Sequence, residues 1–120
     1  MTTPNSGAAM TPAKSLSRIE RIAALNDGFR AQRNTSNTYV TLDLVNRGDI
    51  YLKKLLEQVR DTSKPIPAED TDDERSYGSV RVNGLLVEWS VNYFDRDGYD
   101  DSPDPSDASV TSRTLVLTQA

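Results

Sequence analysis

The chain has 120 residues, 36% of them hydrophobic and 27% charged, with a net charge of −4. That length suits one domain with one thin core. It holds no cysteine and no histidine. Disulfides, thiolate metal sites, cysteine nucleophiles and imidazole bases are therefore excluded. The charge is unevenly spread: residues 1–60 carry +4 and residues 61–120 carry −8.

Residues 1–15 are mostly Thr, Ser, Ala, Gly and Pro, which predicts a disordered tail with no apolar signal core. The single domain is expected over residues 16–120. Residues 16–30 predict a helix capped by Ser15 or Ser17, with Leu16, Ile19, Ile22, Ala23, Leu25 and Phe29 on its apolar face. Residues 34–37 read as a loop. Residues 38–45 predict a strand with Val40, Leu42 and Leu44 on one side. After a turn at 46–49, Asp49 is expected to cap a helix over 50–60, buried through Leu52, Leu55, Leu56 and Val59.

Residues 61–76 form a long polar loop with Pro65, Pro67 and an acidic run: Glu69, Asp70, Asp72, Asp73 and Glu74. Next, Val80–Val82, Asn83-Gly84 and Leu85–Phe94 predict a β-hairpin, because Asn-Gly suits the positive φ angles of a type I′ turn. In its second strand Leu85, Val87, Trp89, Val91 and Tyr93 should face the core. Residues 95–108 are a second acidic loop, with Asp95, Asp97, Asp100, Asp101, Asp104 and Asp107. A last strand is expected over 109–118. The fold class is α+β: an antiparallel sheet of three to four strands with two helices on one face, in the order α-β-α-β-β-β. Leu25, Phe29, Leu52, Leu55, Val87, Trp89 and Val91 are the expected core.

Certain residues resemble a known family. Arg21-Ile22-Ala23-Ala24-Leu25-Asn26-Asp27-Gly28-Phe29-Arg30 is similar to the opening motif of a small bacterial family catalogued as a domain of unknown function, number 3768. Tyr77-Gly78, Trp89 to Asp95, Ser102-Pro103-Asp104-Pro105, Thr111, Arg113 and Leu115 are similar too, so the resemblance runs over roughly residues 18–117. Members of that family usually carry an Asp-Pro-Tyr-Gly-Glu-His-Asp-Phe-Gly-like stretch. Here it corresponds to Asp70 to Gly78, without its histidine and first glycine. The resemblance implies no activity. Members look like accessory genes near mobile elements, which by association implies an inhibitor or modulator of a host system.

The acidic loops flank the hairpin strands, so both are expected at one end of the sheet. Eleven carboxylates there would create a strong negative field. The expected binding residues are Glu69, Asp70, Asp72, Asp73, Glu74, Asp95, Asp97, Asp100, Asp101 and Asp104, with Phe94 as an exposed aromatic anchor. The expected partner is a basic protein surface, such as a nucleic-acid-binding groove, met in the cytoplasm. Counted from Asp95, a calcium loop would need Gly sixth and Glu twelfth; Gly98 is fourth and Ser106 is twelfth. No metal, cofactor or catalytic residue is expected. Lys14, Arg18 and Arg21 line one side of the first helix, but a sequence pI near 4.7 argues against nucleic acid as the partner. No apolar run is long enough to cross a bilayer. The alternative function is a small carboxylate-based or metal-dependent hydrolase. The plainest reading is that the acidic loops only keep the domain soluble.

Overall fold

A computed structural model describes residues 16–33 and 36–120. The expected tail therefore lies outside the described residues. Helix α1 spans Arg18–Ala31, and Ser17 caps it. The Ser17 side chain accepts from the Glu20 N–H while the Glu20 carboxylate accepts from the Ser17 N–H. This reciprocal pair satisfies two amides that the first turn would otherwise leave open. Strand β1 is Thr38–Val40, helix α2 is Leu42–Val45 and helix α3 is Asp49–Arg60. Strands β2 (Tyr77–Val82), β3 (Leu85–Phe94) and β4 (Ser112–Gln119) follow, with short 3₁₀ turns at Ala68–Asp70 and Ala108–Val110.

The fold is α+β, with one four-stranded sheet ordered β1-β4-β3-β2. The hairpin forms as the Asn-Gly pair predicts: Asn83 and Gly84 have φ of 51° and 81°, and Val82 pairs with Leu85. Strands β3 and β4 are also antiparallel, with Trp89 opposite Leu117. The sheet as a whole is not antiparallel, however. β1 runs parallel to β4, pairing Thr38 with Leu115 and Val40 with Leu117. Alternation in a strand reports which face is buried, not the direction of its partner, and this partner lies at the far end of the chain.

The expected strand over 38–45 is also corrected. It stops at Val40, and the chain makes one helical turn, with Val45 N–H donating to the Thr41 carbonyl and Asn46 N–H to that of Leu42. Leu44 is thereby buried, while Leu42 is 72% exposed. Among the described residues there are three α-helices instead of two, in the order α-β-α-α-β-β-β. Gly48, with φ of 97°, takes the cap position before α3, so Asp49 is the first helical residue and gives no side-chain cap. Asp49 still sits where the helix dipole favours negative charge.

One face of the sheet packs on the helices. The core joins Leu44, Tyr51, Leu55 and Val59 to Val82, Val87, Trp89, Val91, Leu115 and Leu117. In α3 the buried stripe is thus Tyr51, Leu55 and Val59, with Leu52 and Leu56 half-buried beside it. Of the expected core residues Leu55, Val87, Trp89 and Val91 are buried, whereas Leu25, Phe29 and Leu52 are half-buried. In α1 the buried residues are Ile22, Ala23, Asn26 and Arg30, while Leu16 and Ile19 are exposed. The final strand begins at Ser112, later than expected, because residues 108–110 form a 3₁₀ turn. Among the described residues no helix is long and apolar enough to cross a membrane.

Candidate functional site

Both acidic loops leave the sheet at the end away from the Asn83-Gly84 turn. The first runs into β2 and the second departs from β3. Val91 N–H donates to the Ser76 carbonyl, and the Tyr93 hydroxyl donates to Glu74 Oε1 at 2.8 Å. The loop over 61–76 is longer in sequence than in irregular structure: it contains a 3₁₀ turn, and β2 begins immediately after it.

Glu74 is taken by Tyr93, and the other carboxylates divide into two groups. The first group shapes its own loop. Asp72 accepts from the Ser76 amide and hydroxyl. Asp95 accepts from the amides of Gly98 and Tyr99, closing the turn that begins the second loop. Asp104 accepts from the Ser106 amide and hydroxyl, and Asp107 does the same for Ser109. The Ser106 side-chain and backbone donors hold the Asp104 carboxyl below the usual carboxylate range. Such Asx-type bonds explain why Asp recurs in these loops. The second group is Glu69, Asp70, Asp73, Asp97, Asp100 and Asp101, whose residues are all exposed. None of these six makes an ion pair among the described residues.

The roots of the loops meet, but their carboxylates spread apart. Asp70 lies beside β2, sharing a cleft with Ser79 and Arg81. Asp104 pairs with Arg18 at 3.3 Å. Among the described residues no group of three or more carboxylates converges as a metal site would require.

Phe94 is not an exposed anchor. It is half-buried, opposite Ser112 in the sheet and bridged to Asp101 on its other side. The most exposed aromatic among the described residues is Tyr99, 89% exposed among Asp97, Asp100 and Asp101, ahead of Tyr39 and Tyr77. Its place in a turn held by Asp95 was readable from Asp95-Arg96-Asp97-Gly98, since Gly98 adopts φ of 81°. Arg21 donates to the Leu16 carbonyl, and with Arg18 engaged by Asp104 the two do not form a free basic face. Lys14 lies outside the described residues.

A buried polar cluster beneath these loops was missed by sequence reasoning. Asn26 is 1% exposed; its Nδ2 donates to the Glu74 carbonyl and to Tyr93 Oη, and its Oδ1 accepts from Arg113 Nε at 2.8 Å. Arg113 Nη2 donates to the Pro105 carbonyl, and its guanidinium lies 5.1 Å from the Tyr93 ring centre. Burial, with the Glu74 acceptor adding to it, pushes the Tyr93 hydroxyl up to about 12. Beside the cluster Arg75, at φ of 51°, grips Asp27 through Nε and Nη2. That ion pair holds an otherwise unfavourable left-handed backbone. Together these contacts fasten α1 to both acidic loops and to β3 and β4. The available signal was spacing: Ile22, Ala23, Asn26 and Arg30 share one helical face, and Arg113 alternates in phase with Thr111, Leu115 and Leu117.

Asn26, Asp27, Tyr93, Pro105 and Arg113 of this cluster are among the residues that carried the resemblance noted above. The chain matched no curated protein and no solved structure. The matching family model spans residues 36–120, so the α1 motif lies outside the matched segment while Tyr77-Gly78, Trp89, Tyr93, Thr111 and Arg113 lie within it. With most of its length so matched, the chain belongs to the family described as "Protein of unknown function (DUF3768)".

Proposed function

We propose that the protein is a non-catalytic interaction protein that binds a basic protein surface through its exposed carboxylates. The supporting observation is the division of labour in the acidic loops. One set of carboxylates is consumed in holding loop shape, which leaves Glu69, Asp70, Asp73, Asp97, Asp100 and Asp101 displayed on ordered backbone. Charge held on fixed loops loses little conformational entropy on binding. Tyr99, standing among the second set, supplies the aromatic contact that such interfaces favour. The surface this display suits is cationic, as in a nucleic-acid-binding groove, and occupying that groove would inhibit or modulate a host nucleic-acid-handling or defence complex in the cytoplasm.

Affinity capture of the tagged chain from its host's lysate identifies the partner. Association rates are then measured over a range of salt. The wild-type rate should fall as the Debye length shrinks from about 10 Å at 0.1 M to about 3 Å at 1 M. Neutralising the six exposed carboxylates to amides together should slow association sharply, whereas each single change should have a small effect. If the sixfold variant associates at the wild-type rate in low salt, the loops serve solubility alone.

A further inference from the structure

A second feature borders the acidic display at Asp70. Between β2, the end of α3 and residues 61–70 is a cleft of about 260 Å³. Arg30 and Trp89 line it from the core side, and Ile66 and Val80 form apolar walls. The Arg30 guanidinium carbon lies 4.4 Å from the Trp89 ring centre. Gly78 makes this layering possible, since a Cβ there would come within 2.6 Å of the indole.

Arg30 is only 5% exposed, yet no carboxylate pairs with it. Its Nη1 donates to the Val59 carbonyl in the last turn of α3, while its Nε is buried and has no partner. Asp61, the nearest acid in the cleft by sequence to that turn, is taken by the Ser63 hydroxyl and amide and by Lys64 at 4.0 Å. A buried guanidinium normally has its donors matched, because stripping it of water without replacement is costly. Here a planar cation is stacked, held from one side and short of acceptors, at the wall of an open cleft.

We propose that this cleft binds the carboxylate of a small monocarboxylic acid with a short apolar tail, with Arg30 as its receptor. The guanidinium fork matches carboxylate geometry. Asp61 and Asp70 offset Lys64 and Arg81 in the same cleft, leaving the Arg30 charge unbalanced, which suits a monoanion better than a dianion such as phosphate. The volume is below the roughly 300–1,000 Å³ of drug-sized pockets, and Ile66, Val80 and Trp89 suit a few carbon atoms beside the charged head. This site shares Asp70 with the acidic surface, but its receptor is Arg30, which that surface does not use, so either reading can fail without the other.

Trp89 is the sole tryptophan and lines the cleft, so its fluorescence reports occupancy. Sodium butyrate is titrated into the full chain at constant ionic strength, with chloride and butylamine as controls. A saturable change in Trp89 emission with butyrate alone is expected. Arg30→Met should weaken it by about tenfold or more, the scale of one lost charge-assisted hydrogen bond. Should that variant not fold, Ile66→Glu offers an internal carboxylate to Arg30 and should abolish the response while a thermal melt stays cooperative. A parallel arm uses a short valine-rich peptide with a free C-terminus and its amidated twin. Binding of the free-acid peptide alone, without butyrate, assigns the carboxylate to a chain terminus lying along β2. No saturable response to either carboxylate, or a response unchanged in both variants, overturns the proposal.

Discussion

Arg113 and Arg30 are both buried guanidiniums stacked on aromatic rings, and the protein treats them differently. Arg113 gives Nε to Asn26 and Nη2 to the Pro105 carbonyl, inside a cluster that includes Tyr93 and Glu74. Arg30 gives one bond to the Val59 carbonyl and leaves Nε without an acceptor. Burial lowers the pKa of both from the ordinary arginine value, yet arginine stays charged in either setting. Depth therefore does not distinguish a structural arginine from a receptive one; the supply of acceptors does. The cluster around Arg113 joins five segments through matched hydrogen bonds. Arg30 is bound from one side and keeps an unmatched donor beside a cleft.

The largest expected effect removes the support itself. Trp89→Ala should cost about 3–5 kcal/mol in urea melts, since the ring is 2% exposed and underlies Arg30. A loss below about 1 kcal/mol would show that the ring bears no packing load at the cleft. Next is Arg113→Met, which leaves Asn26 Oδ1 and the Pro105 carbonyl without donors and should cost about 2–3 kcal/mol.

Tyr93→Phe should cost less, about 1–2 kcal/mol near neutral pH, because one hydroxyl is lost from Asn26 and Glu74. Its pH dependence gives a second reading. Burial raises the native Tyr93 pKa from 10.0 to about 12, so its contribution is complete below pH 10 and is lost as pH rises through 12. Wild type should therefore lose its advantage over Tyr93→Phe across that window, measured by paired melts on either side of it. A constant gap would mean that the phenol is solvated in the native state.

Arg30→Met should be cheaper still, about 1 kcal/mol, because it frees one carbonyl and also removes an unmatched buried donor. A cost equal to that of Arg113→Met would erase the contrast between the two regions. The smallest effect is expected from Arg18→Ala, whose exposed pair with Asp104 should leave the melting midpoint unresolved from wild type.

Much of this frame was legible in the sequence for local reasons. Asn83-Gly84 demanded a particular turn, and the alternation from Leu85 to Tyr93 placed Trp89 on the core face. A serine cap for α1 was expected at Ser15 or Ser17, and the Ser17–Glu20 pair settles it at Ser17. What escaped was non-local or of the wrong polarity class. Val40, Leu42 and Leu44 keep a two-residue alternation, but the chain turns at Thr41, where tertiary burial of Leu44 prevails over strand pattern. Asn26, Arg30 and Arg113 sit at buried positions of their elements, where polar residue types are seldom expected. Phe94 was expected to be exposed, but it is half-buried, and its bridge to Asp101 depends on how the second acidic loop folds back.

The segment before β2 has a further consequence for how molecules of this protein meet each other. β2 is a rim of the sheet, and the backbone of Ser79 and Arg81 faces outward from its pairing with β3. Such a rim invites a second chain to add as another strand. Pro65, Ile66, Pro67 and Asp70 lie alongside it, and Thr71 covers the Tyr77 carbonyl with its hydroxyl. Prolines cannot donate to a ladder, and a carboxylate beside the rim repels an acidic copy of the same chain. The segment thus acts as a guard against self-association, and shortening it should make copies of the chain associate as they are concentrated.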